Sequence, residues 1–139
     1  MTLFAYARTL ILEWANSHRR VSLFLTGMLA VLAYEAARAW YRPFIYAADI
    51  YDFHLADTLG NSLGTVATVL TFASLFGRTA SQGQFVLRAT AIGIAVYEML
   101  HPLLGKPIDP LDLVATLLAG LVCDIAYRLR FNKTVPEKH

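Results

Sequence analysis

Residues 111–131 have the sequence LDLVATLLAGLVCDIAYRLRF, an apolar stretch with Asp112 near its start and Arg128 near its end. A helix needs roughly 20 mostly apolar residues to cross the hydrocarbon core of a bilayer, which is about 30 Å thick. Three further stretches of this kind precede it, at residues 21–41, 58–76 and 85–104. The sequence therefore predicts an all-α integral membrane protein, a bundle of four transmembrane helices.

Composition supports this prediction and excludes several other classes of protein. The chain has 139 residues, enough for one domain, and 57% of them are hydrophobic, with a mean hydropathy of +0.49. That is too apolar for an ordinary water-soluble fold. The 12 Lys and Arg residues are dispersed and the net charge is only +2, so nucleic-acid binding is not expected. Cys123 is the single cysteine, so one chain can form neither a disulfide nor a Cys-based zinc site.

The chain divides into an N-terminal segment 1–20, the four-helix domain 21–131 and a polar tail 132–139. Arg8 interrupts the first apolar run, so no cleaved signal peptide is expected. Residues 3–15 place several apolar side chains near one helical face, namely Leu3, Ala7, Leu10, Ile11 and Trp14. An amphipathic helix in the membrane interface is therefore predicted for this segment.

Basic residues are distributed unequally between the two ends of the predicted spans. Nine fall on one side, namely Arg8, Arg19, Arg20, Arg78, Arg88, Arg128, Arg130, Lys133 and Lys138, and three on the other, Arg38, Arg42 and Lys106. The positive-inside rule then predicts a multi-pass protein of the cytoplasmic (inner) membrane with both termini in the cytoplasm. Seven carboxylates lie toward the opposite, outer face, namely Glu35, Asp49, Asp52, Asp57, Glu98, Asp109 and Asp112. We therefore expect function at the outer face.

The two predicted helical hairpins resemble each other in sequence. Tyr34-Glu35 recurs as Tyr97-Glu98, and a gapped alignment matches Asp57, Gly60, Gly64 and Thr68 with Asp112, Ala115, Ala119 and Cys123. Two explanations account for this match: an internal duplication, or the chance similarity that is common between apolar segments. Small residues spaced four apart allow helices to approach closely in lipid. They predict a contact between the second and fourth spans.

Acidic residues within apolar spans are strong candidates for function. An unpaired charged carboxylate at the centre of a span costs roughly 2.5 to 3.5 kcal/mol, so Glu35 and Glu98 each need a partner or a proton. Arg38 and His101 follow them by three residues, a spacing that brings helical side chains together. Structural ion pairs and a polar ligand pocket both explain this pattern.

Polar residues beside these pairs have roles that are compatible with either explanation. Asp109 and Asp112 flank Pro110 at a helix start, where capping and the helix dipole favour acids. Asn61 is harder to explain by capping, because a buried amide needs a partner. At the other end, Asp124 is expected to pair with Arg128 one turn on, in a structural role. The predicted ligand-binding set is Glu35, Arg38, His54, Asp57, Asn61, Glu98, His101, Lys106, Asp109 and Asp112.

The sequence gives weaker support for a metal site. Residues 98–101 form the Glu-x-x-His pattern by which helical bundles hold di-metal centres, and His54 with Asp57 offers a second pair three apart. A carboxylate-bridged site needs two such motifs and further glutamates, and the chain has one Glu-x-x-His. No metal and no other cofactor is therefore predicted.

The second hairpin resembles the VanZ-like family of small membrane proteins, named for a teicoplanin-resistance determinant. The resemblance covers about residues 45–125. In the first hairpin it rests on Asp49, His54, Asp57 and Asn61, and in the second on Glu98, His101, Lys106, Asp109, Asp112 and Thr116, continuing into Gly120. This chain departs from the family pattern with Lys106 in place of Arg, His101 in place of Gln and Thr116 in place of Asn. Lys106 lacks the planar two-pronged grip of arginine on carboxylate or phosphate.

Three hypotheses of function follow. The resemblance implies a protein of the cell envelope that binds a membrane lipid, a glycan precursor or a glycopeptide at the outer face. Alternatively, the chain is an accessory subunit of a larger membrane complex, or associates with further copies of itself, through its small-residue faces. The third hypothesis is an intramembrane metal-dependent hydrolase that uses His54, His101 and the acids to activate water. Whether the protein is an enzyme stays open.

Overall fold

The computed structural model describes residues 3–131, and every regular element in that range is a helix. This confirms the all-α prediction. Five helices follow one another along the chain: α1 (Leu3–Ala15), α2 (His18–Ala47), α3 (Leu55–Phe76), α4 (Ala80–Met99) and α5 (Pro110–Phe131). The predicted tail 132–139, with Lys133 and Lys138, lies outside the described residues, as do the side chains of Leu3, Ala7 and Leu10.

The first long helix exceeds its predicted bounds of 21–41 at both ends. Ser17 caps its start by accepting a hydrogen bond from the Arg20 backbone N–H at 3.4 Å. Near its other end, residues Ala37–Tyr41 form a π-helical turn, in which the Arg42 backbone N–H donates to the Ala37 carbonyl. This wider turn lies directly before Pro43, whose ring normally clashes with the preceding turn of an α-helix. The helix therefore passes the proline and continues to Ala47.

Helix α4 begins and ends earlier in the sequence than the predicted span 85–104. It begins at Ala80 because Thr79 and Gln82 form a capping box, in which each side chain bonds the backbone of the other residue. It ends at Met99, and Pro102 then lies in a short 3-10 turn, His101–Leu104. Glu98 consequently lies in the last turn of its helix, and not within a span that continues to residue 104.

Helix α3 is central, because it packs against α2, α4 and α5. The buried core comprises Leu23, Val69, Leu70, Ala73, Leu87, Cys123 and Tyr127. The predicted contact between the second and fourth spans exists as the contact of α3 with α5, but α3 packs most extensively on α2.

Two glycines outside the predicted set lie at close approaches between helices. A Cβ at Gly27 would lie 2.9 Å from Thr71 Oγ1 on α3, and one at Gly120 would lie 2.9 Å from the Ala91 Cβ on α4. At Gly64, by contrast, no atom lies within 4 Å of the Cβ position. Gly27 and Gly120 are therefore positions of close approach between helices, and Gly64 is not.

Helices α2, α3 and α5 are long and apolar enough to cross a membrane. Their outer faces carry exposed large apolar side chains, among them Leu29 and Leu32 on α2 and Leu117 and Leu121 on α5. Helix α4 has 20 residues and is more polar in its first half, at Gln82, Gln84 and Arg88. Exposed apolar surface of this extent is what lipid contact requires.

Candidate functional site

The connections that follow α2 and α4 lie at one end of the bundle, next to the first turns of α3 and α5. Their polar residues come close to one another there, since the Asp112 carboxylate is within electrostatic range of Asp57, Asp109 and His101. We call the following residues the polar cluster: Arg42, Tyr46, His54, Asp57, Asn61, Glu98, His101 and Asp112.

Asp57, in the first turn of α3, contacts the side chains of several other members of the polar cluster. Its carboxylate accepts a hydrogen bond from the Tyr46 hydroxyl and has His54 Nδ1 at 3.4 Å. Arg42 Nη2 lies 3.7 Å from the same carboxylate, and Arg42 Nε is 3.1 Å from the Tyr46 hydroxyl oxygen. These side chains are partly to well exposed, so a molecule arriving from solvent can reach them.

His54 owes its position to the turn before α3. It has a φ of 62°, in the left-handed region, and directly precedes the helix. Asp52 caps α3 by accepting a hydrogen bond from the Ala56 backbone N–H at 2.7 Å and another from the Tyr41 hydroxyl at 3.1 Å. Asp52 therefore caps α3, and His54 and Asp57 lie on the same side of the turn.

Asp112 is the counterpart of Asp57 in the first turn of α5. The Asn61 side chain on α3 lies beside its partly buried carboxylate, which gives this half-buried amide a polar neighbour. Among residues 3–131, Asp112 forms no ion pair. The neighbouring Asp109 is exposed and caps α5 through the Leu111 backbone N–H at 2.9 Å, as predicted.

Glu98 is the most buried carboxylate of the polar cluster, with 8% of its surface exposed. His101 Nδ1 lies 3.2 Å from Glu98 Oε2, so the predicted pair three residues apart is formed. The Tyr97 ring contacts the His101 ring edge-on, with 5.1 Å between centroids. The histidine is therefore held on both sides, with its imidazole directed at the glutamate.

The remaining predicted site residues, Glu35, Arg38, Lys106 and Asp109, are exposed. Glu35 and Arg38 pair with each other at 2.7 Å on the exposed surface of α2, which confirms the ion-pair interpretation for them. Lys106 and Asp109 are exposed in the connection before α5. The structure therefore brings together His54, Asp57, Asn61, Glu98, His101 and Asp112 from the predicted set.

Two members of the polar cluster, Arg42 and Tyr46, were missed by the sequence analysis. The predicted span ended at residue 41, which left Arg42 as a loop charge and Tyr46 without a role. Their spacing of four residues was the available signal, because it places both side chains on one face once the helix is extended past Pro43.

Metal-ligating side chains do not converge in the part of the chain that the structure describes. Within residues 3–131, no group of three or more His, Cys, Asp or Glu residues is arranged to hold a metal ion. The metal-dependent hydrolase therefore gains no support from the geometry.

The opposite end of the bundle is closed by structural contacts. Arg19 Nη2 donates to the Gly77 carbonyl at 2.8 Å, and Arg20 Nε donates to the Ser74 carbonyl at 2.7 Å, so both arginines bind the last turn of α3. The buried Asp124 accepts from Arg88 Nε at 2.8 Å and pairs with Arg128 Nη2 at 2.8 Å. The predicted Asp124–Arg128 pair is confirmed, and Arg88 is an additional partner.

Comparison with family models, curated proteins and solved structures found no match to this chain. The VanZ-like resemblance therefore stays a prediction from the sequence.

Proposed function

We propose that this is a VanZ-like, multi-pass protein of the cytoplasmic membrane that uses the polar cluster to bind the polar part of an envelope ligand. The ligand class is a glycan precursor or a glycopeptide that presents hydroxyl and amino groups. In this proposal α4 crosses the membrane as α2, α3 and α5 do, both termini are cytoplasmic and the polar cluster faces outward.

The charges on α4 are compatible with a membrane-spanning position for this helix. Arg88 would be costly in lipid if it were unpaired, but its guanidinium binds the Asp124 carboxylate through Nε at 2.8 Å and Nη2 at 3.1 Å. Glu98 lies at the opposite end of α4, beside His101. Both charged residues of α4 therefore have partners inside the bundle.

The single observation that carries the ligand proposal is that Asp57 and His101, the partner of Glu98, both lie within electrostatic range of Asp112, so that acids of three helices gather at one end of the bundle. Carboxylates accept hydrogen bonds from hydroxyl groups and ammonium groups. Arg42 is the nearest guanidinium, and it is already occupied by Asp57 and Tyr46. An excess of acceptors favours sugar hydroxyls and amines over a phosphate group, which the carboxylates would repel.

Binding to purified protein in nanodiscs tests the proposal, with two fluorescent probes: teicoplanin and a lipid-linked disaccharide–peptide precursor. Asp57→Asn, Glu98→Gln and Asp112→Asn should each weaken binding of at least one probe by about tenfold, since one charge-assisted hydrogen bond contributes about 1.5 to 3 kcal/mol.

Asp49→Asn is the matched control for this experiment. Asp49 lies at the same end of the bundle, is exposed and has a φ of 51°, which asparagine tolerates. Its variant should bind as the wild type does. Absence of binding of both probes to the wild-type protein, or equal binding by all four variants, would contradict the proposal.

A second candidate function, an accessory subunit, is favoured by one surface of α4. Ala89 and Gly93 are exposed and four residues apart, and no atom lies within 4 Å of the Cβ position at Gly93. Such a surface permits close helix association in lipid. A stoichiometric partner that co-purifies in mild detergent and is lost in Gly93→Leu would support this function, whereas a stable lone protein or homodimer would count against it.

A further inference from the structure

Two threonines in the interior lack hydrogen-bond partners. Thr65 on α3 and Thr116 on α5 are 2% and 1% exposed, and in the described part of the chain neither Oγ1 atom has a partner. Leaving a buried hydroxyl unpaired is unfavourable by about 1 to 3 kcal/mol. Two such groups in one small bundle therefore require an explanation.

Other hydroxyl side chains on α3 form a hydrogen bond that Thr65 and Thr116 lack. Thr58, Ser62 and Thr68 each donate to the carbonyl four residues earlier in the helix, at 3.0, 3.0 and 2.8 Å. This is the usual partner of a helical hydroxyl. The hydroxyls of Thr65 and Thr116 make no such bond, which leaves their oxygen atoms available to another species.

Helix register places the two threonines at the same depth. Helices α3 and α5 both begin at the polar end, run in the same direction and contact each other. Asn61 on α3 meets Asp112 on α5. Thr65 and Thr116 follow these two residues by one helical turn on the same faces, which places each threonine one turn further into the bundle than Asn61 and Asp112.

The interior one turn beyond the threonines is apolar. Val69 follows Thr65 by one further turn and is fully buried, together with Leu87 on α4. The polar residues of this interface therefore end at Thr65 and Thr116 and do not continue across the bundle. A species held there enters and leaves at the polar end.

The chemistry of these four residues is that of a site for a hard cation. They offer a carboxylate, an amide oxygen and two hydroxyl oxygens, the ligand type that hard cations take. Asp112 has no ion pair among the described residues, and a water molecule would satisfy the hydroxyls without supplying a counter-ion for its carboxylate. A monovalent cation would balance the single carboxylate among these four residues. A divalent cation would leave one positive charge unbalanced where little water can solvate it. Direct packing of α3 on α5 favours a small ion.

We propose that Asp112, Asn61, Thr65 and Thr116 bind a sodium-sized monovalent cation between α3 and α5. This site goes beyond the recognition of an envelope ligand and does not depend on it. Its test contains neither teicoplanin nor a precursor, so failure of one proposal is distinguishable from failure of the other.

Thermal unfolding of the full chain in a non-ionic detergent is the test, with NaCl compared with choline chloride at equal ionic strength. A ligand that binds only the folded state raises the Tm, by about 5 °C at ten times its Kd for a domain of this size. We expect that rise with sodium, and its loss in Asp112→Asn and in Thr116→Val, which is nearly isosteric.

Thr68→Val is the matched control, because the Thr68 hydroxyl is already bonded within its own helix. It should keep the full sodium response. Equal Tm values in sodium and choline, or an undiminished sodium response in Thr116→Val, would overturn the proposal. If the variants do not fold, equilibrium binding of ²²Na⁺ to the wild type decides: one saturable site per chain is expected, and no saturable binding overturns the proposal.

Discussion

Arg19 Nη1 donates a hydrogen bond to the Tyr127 hydroxyl at 2.7 Å, joining the start of α2 to the last turns of α5 across 108 positions of sequence. The Tyr127 hydroxyl in turn donates to the Ala80 carbonyl at the start of α4, at 2.9 Å. Because Arg19 also binds the Gly77 carbonyl, four helices are linked at this point. Tyr127 is only 2% exposed, so these bonds are shielded from competing water.

Tyr127→Phe should lower the free energy of unfolding by about 1 to 2 kcal/mol, because the Arg19 donor and the Ala80 carbonyl each lose a buried partner. The measurement is unfolding in mixed micelles with increasing denaturing detergent. Tyr51→Phe is the control, since Tyr51 is exposed and its described contacts are made by the ring. A Tyr127→Phe protein as stable as the Tyr51→Phe protein would show that the hydroxyl has no structural role.

Gly83→Ala should destabilise the protein by about 1 to 3 kcal/mol through overpacking. A Cβ at this position would lie 2.6 Å from Arg19 Nη1 and would clash with the Tyr127 hydroxyl. Gly93→Ala, on the same helix with open space around its Cβ position, should be neutral or slightly stabilising. The same unfolding measurement compares the two variants, and equal stability would contradict the tight packing at Gly83.

Asp124→Ala should lower the Tm more than Arg88→Ala does. The Asp124 carboxylate accepts from Arg88, Arg128 and Gln84, so its removal takes an acceptor from all three donors. Removal of Arg88 leaves the buried carboxylate with two partners. Thermal unfolding of both variants checks this order, and a larger effect of Arg88→Ala would show that the arginine acts through other contacts.

The orientation of the bundle is testable by labelling single cysteines in a Cys123→Ala background. Leu103 is 81% exposed at the polar end, and Arg78 is exposed at the opposite end. A membrane-impermeant maleimide should label Leu103→Cys in intact spheroplasts and Arg78→Cys only after permeabilisation. The reverse pattern would invert the proposed orientation, and labelling of both from outside would contradict an odd number of crossings between them.

Local patterns predicted much of this structure because they depend on short-range physics. Apolar stretches with the length of a span predicted the helices, and a three-residue spacing predicted the Glu35–Arg38 and Glu98–His101 contacts. The Thr79–Gln82 capping box was also visible in the sequence, and using it would have placed the start of α4 correctly.

Features that depend on packing between helices were not predictable in the same way. The Arg88–Asp124 pair joins residues 36 positions apart, and its geometry follows from how α4 rotates against α5. The unpaired hydroxyls of Thr65 and Thr116 follow likewise from the register of two parallel helices. Periodicity shows which face of a helix is polar, but the partner of that face is decided by the neighbouring helix.

The π-helical turn at Ala37–Tyr41 has a consequence for the half of α2 that follows it. Such a turn contains one residue more than an α-turn, and each helical residue advances the side-chain direction by about 100°. Arg42 and Tyr46 reach Asp57 with this rotation in place. A one-residue deletion between positions 37 and 41 would swing both side chains away from Asp57 while preserving the helix. Insertions and deletions in this turn are therefore a way to change the contacts of the polar cluster while the fold is kept.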